Sequence, residues 1–156
     1  MEFLGKGKSA SQRPDLDSGL YQALAAGDLP GAWLLAKPCL ERTDFEGLSA
    51  STAFNCGLCL YRLEEYEKAL AGLRRAEQAF GAPPDLDIRE KELFFRAVNA
   101  EKDVFLRPLN PQAPDGLERY GLIRTKWLAA LCLLRLDRPR EAAPAIRFLA
   151  QYHITI

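Results

Sequence analysis

The chain has 156 residues, of which 48% are hydrophobic and 27% charged, a globular composition at a length that can bury a core without disulfides or metals. The 21 Lys and Arg residues balance the 21 Asp and Glu residues, and this zero net charge argues against binding to nucleic acid through a basic surface. No apolar stretch is long enough to span a bilayer and no signal peptide is recognisable. The sequence therefore predicts a cytoplasmic protein with reduced cysteines.

Beyond residue 14, apolar residues recur at helical spacing, and Leu and Ala far outnumber Val and Ile, which predicts an all-α fold without strands. Residues 1–14 contain few hydrophobic residues and predict a flexible basic tail. Residues 15–153 predict a single helical domain, with a proline-containing loop over 105–114. The first two predicted helices run from Asp15 to the turn at Gly27 and from about Pro30 to Cys39, and Pro38 is expected to kink or end the second. The other five span about 49–63, 65–80, 85–104, 115–136 and 137–152.

Three of the predicted helix pairs share a pattern in which a polar turn is followed by an alanine early in the second helix. These alanines, Ala32, Ala69 and Ala142, are separated by 37 and then by 73 residues, close to one and two periods of a helical repeat. The central pair resembles a tetratricopeptide repeat, with Gly57 where the two helices would cross and Ala69 and Ala76 on the second helix. Only a small residue fits at such a crossing, because the helix axes are about 8–10 Å apart.

The other pairs match that family less closely. Ala130 stands in place of the crossing glycine in the last pair, and residues 84–114 depart most from the pattern, which predicts a degenerate or interrupted repeat there. The resemblance implies a short right-handed solenoid of antiparallel helical hairpins, with about seven helices in all. In this family the first helix of each pair lines a concave groove.

The groove implied by the resemblance carries aromatic residues next to arginines, a combination that is concentrated in protein-binding hot spots. We therefore predict that the groove binds a peptide or a helix of a partner protein. The predicted partner-binding residues are Tyr21, Phe54, Leu58, Tyr61, Arg62, Arg124, Trp127 and Arg135. The alternative for Phe54, Leu58 and Trp127 is that the fifth helix simply covers them.

Some members of the family hold the C-terminal carboxylate of a partner through lysine and asparagine side chains at set groove positions. Here only Asn55 and Arg124 are compatible with that mode, because Asp17 and Tyr21 occupy the positions of the lysine and the first asparagine. The sequence therefore favours an apolar segment or a helix as the ligand.

No set of residues predicts a reaction, a bound metal or a cofactor. Cys56 and Cys59 form a Cys-x-x-Cys motif, but they lie inside a predicted helix, and the single histidine, His153, is far away in the sequence. We interpret these cysteines as packing residues. The basic run Gly5–Ser9 lacks the first glycine of a phosphate-binding loop and has no strand before it. The acidic pairs fall in turns or on solvated helix faces, without the pocket that acid–base chemistry needs.

The predicted function is a protein–protein interaction module, an adaptor or chaperone-like protein of bacterial type and not an enzyme. We expect a protein or peptide partner, and neither nucleic acid nor a membrane. Two alternatives remain open. One is a homo-oligomeric structural subunit that buries the groove, and the other is a small-molecule-binding or enzymatic role beside the fifth and sixth helices.

Overall fold

A computed structural model of the chain describes residues 14–41, 47–83, 85–100 and 102–156. Within these residues all regular structure is helical, which confirms the predicted all-α class. The predicted N-terminal tail lies outside the described residues up to residue 13. The described helices are α1 (Pro14–Ala25), α2 (Leu29–Leu40), α3 (Ala50–Arg62), α4 (Tyr66–Phe80), α5 (Ile88–Ala100), a short 3-10 helix (Lys102–Leu106), α6 (Pro114–Arg135) and α7 (Pro139–Ala150).

The observed boundaries differ from the prediction mainly in α2 and α5. α2 continues through Pro38 to Leu40. α5 begins three residues later than predicted, because Asp87 caps it: the N–H of Glu90 donates to Asp87 Oδ1 at 2.8 Å, and the Glu90 carboxylate accepts from the Asp87 N–H at 3.4 Å. α5 also ends early, at Ala100, and the 3-10 helix follows it.

Three helix pairs form hairpins with the same turn geometry: α1 with α2, α3 with α4, and α6 with α7. The middle residue of each turn has a positive φ, 76° at Gly27, 61° at Glu64 and 57° at Asp137. The following residue donates its N–H to the carbonyl five residues back, at 2.8 Å for Asp28, 2.8 Å for Glu65 and 2.9 Å for Arg138. This pattern ends a helix in a left-handed residue and turns the chain back on itself.

The hairpins stack in chain order, because α3 contacts both helices of the first hairpin and α6 contacts both helices of the second. α3 is the central element, and every residue from Ser51 to Leu60 is buried. α4 and α6 pack directly on each other, and the Phe80 ring fills the space that a side chain at Gly121 would need. Residues 81–113, which include α5 and the 3-10 helix, are therefore inserted between two hairpins that already touch.

Candidate partner-binding face

The predicted partner-binding residues lie on α1, α3 and α6, the first helices of the three hairpins, and we call the side that they form the inner face. The structure gives them unequal access to solvent. Phe54 and Leu58 are 0% exposed and belong to the hydrophobic core. Arg135 is exposed, and the remaining five are partly exposed: Tyr21, Tyr61, Arg62, Arg124 and Trp127.

Much of the inner face is occupied by a piece of the same chain, the segment Leu106–Leu109, which we call the inner-face segment. The Leu109 side chain is 4% exposed and joins the hydrophobic cluster that contains Phe54 and Leu58. Just before the segment, the Phe105 ring packs edge-on against Trp127, with ring centres 5.2 Å apart. In this conformation the chain itself fills the place expected for a partner.

The Asn55 side chain holds the main chain of the inner-face segment by two hydrogen bonds. Its Nδ2 donates to the Leu109 carbonyl at 2.9 Å, and its Oδ1 accepts from the Leu109 N–H at 2.8 Å. Asn55 is buried, so these bonds satisfy a polar group that would otherwise be costly to remove from water. The Asn55 side chain therefore bonds to both the N–H and the C=O of Leu109, in the way that a neighbouring β-strand would.

Two arginines also donate hydrogen bonds to the main chain of the inner-face segment. Arg62 donates through Nη2 to the Leu106 carbonyl at 2.6 Å and through Nη1 to the Leu24 carbonyl of α1 at 3.3 Å. Arg124 donates through Nη2 to the Arg107 carbonyl, and its guanidinium lies 5.4 Å from the centre of the Phe54 ring. Burial, together with the charge of Arg107, lowers the pKa of Arg124 to about 10, so Arg124 stays protonated at neutral pH and remains a donor.

These contacts define the direction and shape of the segment. Arg62, at the end of α3, bonds to Leu106, and Asn55, seven positions earlier on the same helix, bonds to Leu109. The segment therefore runs antiparallel to α3, with its carbonyl groups accepting from α3 and α6. It begins at the last residue of the 3-10 helix and bends at Arg107.

The inner face stays more open near the C-terminal ends of α3 and α6. The Tyr61 and Arg135 side chains lie close together, and burial is the main cause that raises the pKa of Tyr61. The Tyr61 ring also lies 5.6 Å from that of Tyr66, between ring centres. Leu134, next to Arg135, is an exposed apolar residue. This end of the face combines aromatic, apolar and cationic groups that a partner could reach.

The sequence left open whether the fifth helix covers Phe54, Leu58 and Trp127. In the structure, two residues that follow α5 pack on this side: Phe105 contacts Trp127, and Leu109 belongs to the cluster that contains Phe54 and Leu58. The sequence did contain a signal for this packing, in the composition of the predicted loop 105–114. The loop contains Phe105, Leu106 and Leu109, although surface loops are usually polar. Apolar residues in a loop indicate that the loop is packed against something.

Two pockets lie away from the inner face. One, of about 340 Å³, is lined by Leu29, Pro30, Trp33, Leu63 and Glu65, where the start of α2 meets the turn between α3 and α4. The other, of about 220 Å³, lies among α4, α6 and α7 and includes the ion pair of Lys126 with Glu77 at 3.3 Å. Neither of them is lined by a predicted partner-binding residue or by a residue of α5.

The four cysteines are buried free thiols on α2, α3 and α6. A hydrogen bond with Cys39, reinforced by burial, raises the pKa of Cys56 well above its ordinary value. Burial also raises the pKa of Cys59, and it raises that of Cys132 to about 12. In the part of the chain that the structure describes, no three His, Cys, Asp or Glu side chains are grouped so that they could hold a metal ion.

We expect the native thiols to react slowly with Ellman's reagent at about pH 8. The raised pKa values keep the thiols protonated at that pH, whereas the thiolate is the reactive form, and burial excludes the reagent. The same protein in guanidinium chloride is the control, in which all four cysteines should react at once. A thiol that reacts within seconds in the native protein would contradict this interpretation.

Comparisons with protein-family models, with curated proteins and with solved structures found no match for this chain. None of the described helices is both long enough and apolar enough to cross a lipid bilayer.

Proposed function

We propose that this chain is a protein-binding adaptor with a tetratricopeptide-like architecture, which holds a peptide segment of a partner protein on its inner face. The architectural part is supported by the three hairpins with equal turns, stacked in chain order. It is also supported by Gly57 on α3, which lies so close to Leu73 of α4 that a side chain at position 57 would have no room. A short right-handed solenoid of this kind presents one face of its first helices to a ligand.

The main support for peptide binding is that side chains of the inner face donate hydrogen bonds to a main chain. Asn55, Arg62 and Arg124 all bond to backbone groups of the inner-face segment, and none of these bonds depends on a particular side chain in the ligand. A partner peptide without regular secondary structure offers the same unpaired N–H and C=O groups. The face is therefore suited to hold an irregular peptide segment, with Leu109 marking a position for an apolar side chain.

Photo-crosslinking tests this function. A benzophenone amino acid replaces Tyr21, which is partly exposed on α1, or Leu134, which is exposed near the open end of the inner face. The control replaces Gln78, which is exposed on α4. After irradiation in extracts of the source organism, we expect a protein to be crosslinked at Tyr21 and Leu134 and not at Gln78. Mass spectrometry identifies the crosslinked protein and the attached peptide.

The same experiment separates the proposal from the homo-oligomer alternative. If the chain is a structural subunit that buries its inner face, the crosslinked product contains only this chain, and light scattering gives a mass that is a multiple of 17.4 kDa. Equal crosslinking at Gln78 and at the inner face would contradict both functions.

A further inference from the structure

The pocket of about 340 Å³ between the first two hairpins has apolar walls and one acidic side chain, and we call it the hairpin-junction pocket. Leu29, Pro30 and Trp33 of α2 and Leu63 at the end of α3 form the walls, and Glu65 supplies the charge. Trp33 is partly exposed and Leu63 is 38% exposed, so a ligand can reach them. None of these residues is a predicted partner-binding residue, so the pocket is a site separate from the inner face.

The Glu65 carboxylate is available to a ligand of this pocket. Glu65 is the N-cap of α4, but its side chain accepts no hydrogen bond from that helix, whereas Asp28 at the N-cap of α2 accepts one from the Gly31 N–H at 3.0 Å. Among the described residues, no lysine or arginine forms an ion pair with Glu65. A purely apolar ligand would cover this carboxylate without compensating its charge, which costs free energy. The pocket therefore favours a ligand that combines an apolar stem with a positive charge.

The corresponding junction between the second and third hairpins contains a guanidinium–carboxylate pair. Arg138 is the N-cap of α7, as Glu65 is of α4, and it bonds to Glu67 at 2.7 Å. Glu67 is the second residue of α4, as Pro30 is of α2. The first junction thus has an acidic residue in the position of the arginine and a proline in the position of its partner. A guanidinium from another molecule would form there the kind of pair that the chain itself forms one junction later.

The surroundings of the pocket favour a protein segment over a free small molecule. Pro30, Leu63 and Glu65 are exposed, so the pocket is open, whereas sites for free small ligands bury about 70–90% of the ligand surface. Apolar surface also continues beyond the pocket, because Leu34, which is 69% exposed, lies one helical turn after Pro30 on the same side of α2. Neighbouring side chains of one partner segment can cover this surface, which a small cation leaves in water.

We infer that the hairpin-junction pocket is a docking site for an arginine side chain of a partner protein, and that an adjacent apolar side chain of the partner covers Pro30 and Leu34. The methylene groups of the arginine pack on the apolar walls, and its guanidinium contacts the Trp33 ring and pairs with Glu65. Arginine suits this pocket better than lysine does, because a planar and weakly hydrated guanidinium can stack on an aromatic ring and pair with a carboxylate.

An NMR titration of the full chain, labelled with ¹⁵N, tests this site with the blocked tripeptide acetyl-Leu-Arg-Leu-amide. Two comparison peptides replace the arginine with lysine or with citrulline, which has the shape of arginine without its charge. The chain has two tryptophans, so the variant Trp33→Phe assigns the indole N–H signal of Trp33. We expect the arginine peptide to shift this signal and the backbone amide signals of Leu63 and Glu65, with a Kd on the order of 1 mM at low salt. The citrulline peptide should bind about tenfold more weakly, and the lysine peptide should bind with intermediate affinity.

The variant Glu65→Gln should weaken binding of the arginine peptide about tenfold and remove most of the preference over citrulline. Glu64→Gln is the matched control, because it removes the same charge from an exposed neighbouring residue that does not line the pocket. Its affinity should stay within about twofold of the wild-type value. Propylguanidinium, which is the arginine side chain without a backbone, should bind more weakly than the peptide, because it leaves the surface around Leu34 uncovered. Circular dichroism melting verifies that each variant is folded.

Equal affinity for the arginine and citrulline peptides, or equal losses in Glu64→Gln and Glu65→Gln, would overturn the assigned chemistry. An unshifted Trp33 signal at about 20 mM peptide would overturn the site itself. Tighter binding of propylguanidinium than of the peptide would assign the pocket to a small cation instead of a partner protein. Crosslinking at Tyr21 and Leu134 does not depend on this pocket, so failure of this inference is distinguishable from failure of the proposed function.

Discussion

Replacing Phe54 with alanine is expected to lower the free energy of unfolding by about 3–5 kcal/mol, the usual cost of removing a fully buried phenylalanine. Phe54 is 0% exposed in the centre of α3, within the main hydrophobic cluster. Its ring also lies beside the guanidinium of the partly exposed Arg124, so truncation removes packing from that charged group as well. Urea denaturation followed by circular dichroism measures the change.

Tyr21→Ala is the matched control for Phe54→Ala. Tyr21 is also an aromatic residue of the inner face, but it is only partly buried, so its truncation should cost about 1 kcal/mol or less. A loss of less than about 1 kcal/mol for Phe54→Ala would mean that the site of Phe54 is open to water and not part of the core. Similar losses for the two variants would contradict the difference in their burial.

Local features of the fold were predictable because they depend on neighbours in the sequence. The alanines Ala32, Ala69 and Ala142 marked the second helix of each hairpin, and all three are fully buried. The turns before them were recognised from short polar runs, and two of the three have a non-glycine residue, Glu64 or Asp137, with a positive φ. Helix periodicity and turn residues are encoded over a few positions, so one sequence reveals them.

The cover on the inner face was not predictable because it depends on contacts between distant residues. Asn55 bonds to a residue 54 positions away, and Arg62 bonds to one 44 positions away. Periodicity carries no information about which surface an irregular loop will meet. The sequence singled out Asn55 and Arg124 as the two residues compatible with carboxylate binding. An amide and a guanidinium serve carbonyl and carboxylate oxygens equally well, so residue type alone does not identify the acceptor.

The substitution Gly57→Leu is expected to destabilise the protein by about 1–3 kcal/mol or more, because the crossing of α3 and α4 has no space for a side chain. A β-carbon at Gly57 would lie 2.8 Å from both Cγ and Cδ2 of Leu73 and 3.3 Å from the Ala69 carbonyl oxygen. Leu73 is itself fully buried, so it cannot move aside without disturbing the core. In a thermal melt, each kcal/mol should lower the Tm by about 2–4 °C for a chain of this size.

Ala79→Leu on α4 is the control, because Ala79 is exposed and a larger side chain there meets solvent. Its effect should stay within about 0.5 kcal/mol. Gly57→Ala should fall between the two, since one methyl group meets the same Leu73 carbons but also improves helix propensity by about 1 kcal/mol. A melting temperature for Gly57→Leu equal to that of the wild type would show that α3 and α4 cross elsewhere, and the tetratricopeptide-like register would then be wrong.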